Sequence, residues 1–280
     1  MSAITRFAPS PTGFLHLGHA ASALFSAKQA GPDGGFLLRI EDIDQTRCRP
    51  EYVDAIFEDL AWLGLQWENP VRIQSQHFRD YQKVLDRLSE AGLLYPCFCT
   101  RKDIQEEIER IGNAPHGPDG AHYPGTCRHC SASERADRIA AGESYALRLD
   151  MGGAVRQAGG PLSWYDRKAG KQDATPEIFG DVVLARKDTP TSYHLSVTHD
   201  DHLQGINLVT RGEDLFFASH LHRLLQELLG YDVPEYHHHG LLTGPDGKRF
   251  AKRDKSKTLR FMRDEGMSAD EVIALSGGTI

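Results

Sequence analysis

Apolar and polar positions follow two rhythms along this chain. Residues 4–8 form a short apolar run that ends at Pro9 and Pro11, the pattern of a buried strand. Residues 13–18 read as a glycine-bounded turn, and 19–29 are alanine-rich and helix-forming. Gly31-Pro32-Asp33-Gly34-Gly35 stops that helix, and 36–40 is a compact apolar strand. A 3.6-residue rhythm then takes over, with Val53, Ile56, Phe57, Leu60 and Leu63 across 50–63 and Tyr81, Val84, Leu85 and Leu88 across 78–91. Strand, turn, helix, strand, helix is the alternation of a doubly wound parallel sheet, so the fold class is α/β.

The rhythm breaks between 95 and about 174. This span holds four cysteines, a loop at 112–125 and a glycine-rich stretch at 151–160, and it reads as an insertion between two halves of the sheet. Residues 181–185, 192–197 and 207–210 resume as short strands, and 214–229 is an amphipathic helix. The tail carries a basic stretch from Lys248 to Lys257 and a helix at about 269–275. The expected organisation is a first half-domain at 1–95, an insertion at 96–174, a second half at 175–235 and a C-terminal segment at 236–280. Neither an internal repeat nor a low-complexity tract interrupts it.

Composition narrows the class. With 40% hydrophobic and 25% charged residues the chain is an ordinary globular protein, and no apolar run is long enough to span a bilayer. Met1-Ser2-Ala3-Ile4 enters the first strand without a leader pattern, so a cytoplasmic location is expected. A net charge of -7 argues against a protein that coats nucleic acid non-specifically, although the stretch 248–257 leaves room for a local basic face. Four of the five cysteines (Cys97, Cys99, Cys127, Cys130) fall in one region, which in a reducing compartment points to a metal before disulfides. Cys48 stands apart.

Candidate chemistry begins at the first turn. Arg6-Phe7-Ala8-Pro9-Ser10-Pro11-Thr12-Gly13 runs on into His16-Leu17-Gly18-His19, two histidines at a strand-to-helix transition. A helix N-terminus there offers free N–H groups and a positive dipole end to a phosphate, and imidazoles can donate to one as charge develops. Near the other end, Arg249-Phe250-Ala251-Lys252-Arg253 is a basic loop whose bland reading is a solvated or RNA-facing surface. His237-His238-His239 makes a poor chelate, because consecutive strand residues alternate faces.

These motifs resemble those of the class I aminoacyl-tRNA synthetases, in the version used by glutamyl and glutaminyl enzymes. His16-Leu17-Gly18-His19 after Pro9-Ser10-Pro11-Thr12-Gly13 is similar to H-I-G-H. Residues 38–47 resemble L-R-I-E-D-T-D-x-x-R, and Ser192-Tyr193-His194-Leu195 through Asp200-Asp201 to Gly205 resembles S-Y-x-L…D-D…G. Arg211-Gly212-Glu213-Asp214-Leu215 matches R-G-x-D-L, and 249–253 aligns with K-M-S-K-S, with Arg249 and Ala251 as departures.

The resemblance implies a Rossmann-like parallel sheet, a zinc-containing insertion, a short C-terminal helical segment like the family's stem-contact region, and ATP-dependent activation of glutamate with Mg²⁺. It places His16, Gly18, His19 and Lys252 on ATP, with His16, His19 and Lys252 as the catalytic groups. It places Arg6, Phe7, Ala8, Pro9, Ser10, Glu41, Tyr193 and Arg211 around glutamate, where arginines read carboxylate and Glu41 the ammonium. His238 is expected to be structural or adenine-adjacent. The zinc ligands implied are Cys97, Cys99, Tyr123 and Cys127; the residues themselves also leave His129 or Cys130 open as the fourth.

Only 27 residues follow Arg253, too few for the domain that reads an anticodon in tRNA-charging members. In that respect, and in Tyr123-Pro124-Gly125-Thr126-Cys127, the chain resembles the short glutamyl-queuosine tRNA(Asp) synthetases. That resemblance implies transfer of glutamate to queuosine at the wobble position of tRNA(Asp), by a monomer. The competing expectations are a catalytic fragment charging tRNA(Glu), and a silent tRNA-binding paralogue.

Overall fold

The computed structural model describes residues 2–111, 116–242 and 258–277. The basic loop with Arg249, Ala251 and Lys252 lies outside the described residues. Strand β1 (Ile4–Phe7) pairs in parallel with β2 (Gly35–Ile40), and β2 with β3 (Glu68–Ile73). Between the strands run α1 (Leu17–Ala30) and α2 (Pro50–Trp62). Proline at the first position of α2 has its φ preset for a helix and no N–H to leave unpaired. Next, α3 (Phe78–Glu90) buries Tyr81, Val84, Leu85 and Leu88, the stripe that the 3.6-residue rhythm marks.

The span after α3 forms a second, antiparallel sheet. It holds β4 (Leu94–Cys97), α4 (Arg101–Ile111), a small hairpin of β5 (His116–Gly117) and β6 (Gly120–Ala121), α5 (Ala132–Ala140), β7 (Ala146–Leu149) and α6 (Met151–Ala158). The hairpin of β8 (Ser163–Asp166) and β9 (Gly170–Asp173) follows, then β10 (Val183–Ala185), giving the order β10-β7-β4. The chain closes with α7 (Tyr193–Leu203), β11 (Leu208–Gly212), α8 (Ala218–Leu229), β12 (Glu235–His239), α9 (Leu259–Asp264) and α10 (Ala269–Leu275).

β11 and β12 are parallel, and β8, from within the span 96–174, pairs in parallel with β12. The β1 edge meets β11 through Asn207, whose side-chain oxygen accepts from Ile4 N at 2.7 Å while its own N–H donates to Ile4 O at 3.2 Å. The strands thus run β3-β2-β1 on one side and β11-β12-β8-β9 on the other. In such sheets ligands bind at the carboxyl ends of the strands where the order reverses, here between β1 and β11.

Three local expectations differ from the structure. Residues 192–197 are not a strand: Ser192 Oγ accepts from Leu195 N and starts α7, and Leu195 to Asp201 are all buried. A helix covered on every side has no amphipathic stripe to betray it. The glycine-rich 151–160 is mostly α6, started by Asp150, whose carboxylate accepts from Gly153 N at 3.1 Å. The helix expected at 214–229 begins only at Ala218, after a 3-10 turn at Glu213–Leu215. Among the described residues no helix is long and apolar enough to cross a membrane.

Candidate active site at the switch between the two half-sheets

The carboxyl ends of β1, β2 and β11 open into one cavity of about 380 Å³. All eight residues expected around glutamate (Arg6, Phe7, Ala8, Pro9, Ser10, Glu41, Tyr193 and Arg211) line it, together with His19. A second cavity of about 310 Å³ adjoins it, sharing His19, Ser22 and Gly212 and lined also by His16 and Gly18. The residues expected on glutamate and three of those expected on ATP, His16, Gly18 and His19, are therefore neighbours, although His16 and Arg211 are far apart in sequence.

Arg6 is buried and held by Asp201, its Nε and Nη2 donating at 2.9 and 3.2 Å, while Nη1 donates to Thr210 O at 3.0 Å. Arg39 donates from Nη2 to the same Asp201 at 2.6 Å. Burial pushes the Asp201 carboxyl up, but Arg6 and Arg39 outweigh it and hold it below the ordinary carboxylate range. Glu41 is positioned by its own N–H, which donates to Pro9 O at 3.0 Å just past the end of β2. Burial raises its carboxyl to about 7 against the opposing pull of Arg39 and Arg6. Its Oε1 is buried without a hydrogen-bond partner among the described residues.

Arg211 is different in kind. Its Nε donates to His238 Nε2 at 3.1 Å, Nη1 to His222 Nδ1 at 3.3 Å and Nη2 to Ser219 Oγ at 2.6 Å. All three acceptors are neutral groups: burial and the Arg211 charge bring His238 down to about 4 and His222 well below its ordinary value. Among the described residues no carboxylate pairs with Arg211; Asp166 stands one imidazole away, accepting from His238 Nδ1 at 2.7 Å. His238 is thus the backing of Arg211, while His237 and His239 turn elsewhere, to Gln29 and Ser22. Reading the sequence missed Asp201, Ser219, His222 and Asp166 as parts of this site; the Asp200-Asp201 pair was the visible signal.

At the turn before α1 the two histidines cap the helix. His16 Nδ1 accepts from Gly18 N at 3.1 Å and His19 Nδ1 accepts from His16 N at 3.2 Å, which leaves each neutral ring its proton on Nε2. The chain beyond residue 257 returns to this turn, where Leu259 N donates to Leu15 O at 2.8 Å and Thr258 bridges to His16.

In the second sheet the sulfurs of Cys97, Cys99 and Cys127 lie within 4.8 Å of one another. Tyr123 Oη lies 3.3 Å from Cys99 Sγ and accepts from Cys127 N at 2.9 Å. Arg148 stacks on its ring at 3.9 Å, while burial and the neighbouring thiols push the phenol up from its ordinary value. Three soft sulfurs converging with one oxygen fit a tetrahedral zinc. Cys130 packs at the edge of this cluster but not within the three-sulfur group.

Comparison with known proteins follows the same outline. The family described as tRNA synthetases class I (E and Q), catalytic domain, matches residues 2–275. A protein from Rhodobacter capsulatus named Glutamyl-Q tRNA(Asp) synthetase is 46% identical over 98% of this chain and 99% of its own length. A glutamate–tRNA ligase from Hydrogenobaculum is 38% identical over 94% of this chain, which spans 55% of that protein. Among solved structures, a glutamate tRNA ligase from Elizabethkingia meningosepticum in complex with its amino acid aligns with a TM-score of 0.75 at 28% identity, over 95% of this chain and 54% of that one. The chain belongs to the class I tRNA synthetases (E and Q), ligases whose catalytic domain it carries.

Proposed function

We propose that this enzyme activates L-glutamate with ATP as glutamyl-adenylate and transfers the glutamate to queuosine at the wobble position of tRNA(Asp). One observation carries the activation step: Glu41 and Arg211 are buried at one cavity, and neither has an oppositely charged hydrogen-bond partner among the described residues. A free amino acid with a side-chain carboxylate supplies both missing charges. Glu41 holds the substrate ammonium and Arg211 a carboxylate, with Tyr193 and Ser10 completing the walls.

The α-carboxylate then faces the adjoining cavity. Its oxygen attacks the α-phosphorus of ATP, a P–O bond forms, and the bond to pyrophosphate breaks. His16 and His19 donate from Nε2 to the oxygens on which charge develops, and Lys252 adds a cation from the loop outside the described residues. Mg²⁺ bound to the ATP phosphates would neutralise the leaving pyrophosphate. A hydroxyl of the acceptor next attacks the glutamyl carbonyl, AMP departs, and the hydroxyl proton leaves with it or to solvent.

Queuosine as acceptor is supported by the similarity, which runs the full length of the Rhodobacter capsulatus protein and only about half of the glutamate–tRNA ligase. For the metal, we assign zinc to Cys97, Cys99, Cys127 and Tyr123, in preference to His129 or Cys130, because Tyr123 Oη lies 3.3 Å from Cys99 Sγ and bonds the backbone N–H of Cys127, within the three-sulfur group. The test is labelled glutamate with tRNA(Asp) containing or lacking queuosine. Label only on the first is expected, and equal labelling overturns the acceptor. Glutamate-dependent ATP–pyrophosphate exchange without tRNA supports activation; exchange that needs tRNA(Glu) favours a charging enzyme, and none at all a silent paralogue.

A further inference from the structure

Arg211 is fastened at one end of a chain of histidines that reaches the protein surface. Its Nη1 lies 3.3 Å from His222 Nδ1, His222 Nε2 lies 3.1 Å from His194 Nδ1, and His194 Nε2 lies 3.5 Å from Asp119 Oδ2. The end groups fix the direction of every bond. Arginine can only donate, so His222 Nδ1 accepts and its proton sits on Nε2. That proton is given to His194 Nδ1, which places the His194 proton on Nε2, facing a carboxylate that can only accept. One arrangement of protons satisfies all three contacts.

The path crosses structural boundaries. Arg211 is on β11, His222 on α8, His194 on α7, and Asp119 at the tip of the β5–β6 hairpin in the span between the half-sheets. The hairpin is seated on the main body: His122 Nε2 lies 2.7 Å from Ile178 O, and a side chain at Gly117 would collide with the same carbonyl. His222 is buried, whereas the Asp119 side chain is 67% exposed. Neither His222 nor His194 lines the cavity, so neither touches a substrate held there.

We infer that His222, oriented by His194 and Asp119, is a positioning residue that sets the affinity of the site for glutamate by fixing the Arg211 guanidinium. The inference rests on the reading of Arg211 as the seat of a substrate carboxylate. A neutral acceptor here holds the fork in one plane while leaving its charge for the ligand, which a carboxylate in the same place would take. The hairpin carboxylate supplies the anchoring charge from a distance of two rings.

The experiment is glutamate-dependent ATP–pyrophosphate exchange by the full chain, with KM for glutamate and for ATP measured separately from kcat. His222→Leu, which neither accepts nor donates, is expected to raise KM for glutamate about tenfold or more, the scale of one hydrogen bond to a charged group. KM for ATP and kcat are expected to stay within about twofold, since a tilted guanidinium weakens ground-state and transition-state binding alike. His222→Gln, which can accept from Arg211 and donate to His194, is expected to recover most of the affinity. Asp119→Ala, at an exposed site, is expected to raise KM for glutamate about threefold in the native background and not at all on top of His222→Leu.

An unchanged KM in His222→Leu overturns the inference, as does a parallel loss in kcat and both KM values that His222→Gln fails to restore. An Asp119→Ala effect that adds fully to His222→Leu overturns the relay to the hairpin. If the native enzyme exchanges with glutamate and His222→Leu behaves like it, only the relay falls. If the native enzyme shows no exchange, the reading of the site falls, and the relay with it.

Discussion

Glu41 Oε1 and Arg39 Nη1 face each other across 3.7 Å inside the protein, and neither atom has a hydrogen-bond partner among the described residues. Arg39 spends its other nitrogens on Asp201 and Gln204 and so attracts Glu41 without satisfying it. The carboxyl is left at about 7, half protonated at neutral pH, where an ammonium donor would bring it fully into the charged form. The affinity for glutamate should therefore weaken as the pH falls below about 7, by roughly tenfold per pH unit, because a proton competes with the substrate ammonium. Titration calorimetry between pH 6 and 8 measures it, and Glu41→Gln should lose both the affinity and the slope.

The same group predicts the pH dependence of folding. Glu41 titrates higher in the folded protein than in the unfolded chain, so its contribution to stability is whole below its ordinary value and lost as the pH rises through about 7. In urea unfolding, Glu41→Gln should flatten the part of the decline between pH 5 and 8 that this residue causes. Saturating glutamate should reduce it in the native protein.

Asp201 accepts from both Arg6 and Arg39 at hydrogen-bond distance, all three side chains being buried. Removing it leaves two buried guanidinium groups without their shared carboxylate, Arg39 keeping only longer carboxylate contacts, to Glu41 at 3.7 Å and Asp200 at 4.0 Å. Asp201→Ala should cost on the order of 3–5 kcal/mol of stability, the usual penalty for breaking a buried pair from one side. A midpoint of urea denaturation within error of the native value would contradict this.

The sulfur cluster predicts one zinc per chain, held against dialysis. Cys127→Ser should lose the metal and loosen the β4–β7–β10 sheet, which amide hydrogen exchange would report as faster exchange around 95–100 and 123–130. Tyr123→Phe should retain metal with lower affinity, by roughly 10–100-fold, because three sulfurs remain and water takes the fourth place. Equal zinc retention by Tyr123→Phe and the native protein would remove the phenol from the ligand set.

A Cβ at Gly18 would come within 3.1 Å of His16 Cε1 and 3.2 Å of Nδ1. Gly18→Ala should push that ring off its cap bond to the helix. Pyrophosphate exchange should then lose about tenfold in kcat, with KM for glutamate within twofold and stability lowered by about 1 kcal/mol, the worth of an N-cap.

Strands β1 and β2 were legible in the sequence as short continuous apolar runs, since both of their faces are buried, and the first two amphipathic helices were legible because one face is buried and one wet. The stripe at Tyr81, Val84, Leu85 and Leu88 is an example. By contrast α7 reads as a strand, since Val197 and Thr198 are β-branched and its polar residues are buried like its apolar ones. The cavity was legible as ordered motifs, and its lining gathers each residue expected around glutamate. What stayed hidden was the support behind it. His222, Ser219 and Asp166 act through Arg211 and His238, and nothing in their own neighbourhoods of sequence marks them.

The pairing of Arg6 with Asp201 joins residues 195 positions apart. During synthesis Arg6 leaves the ribosome before its partner, which follows after roughly 10–40 s at ordinary elongation rates of about 5–20 residues per second. Until then β1 carries a cation destined for the interior and an edge that only β11 can cover. The site cannot mature until β11 has emerged as well, so the nascent chain must be kept from aggregating over that interval.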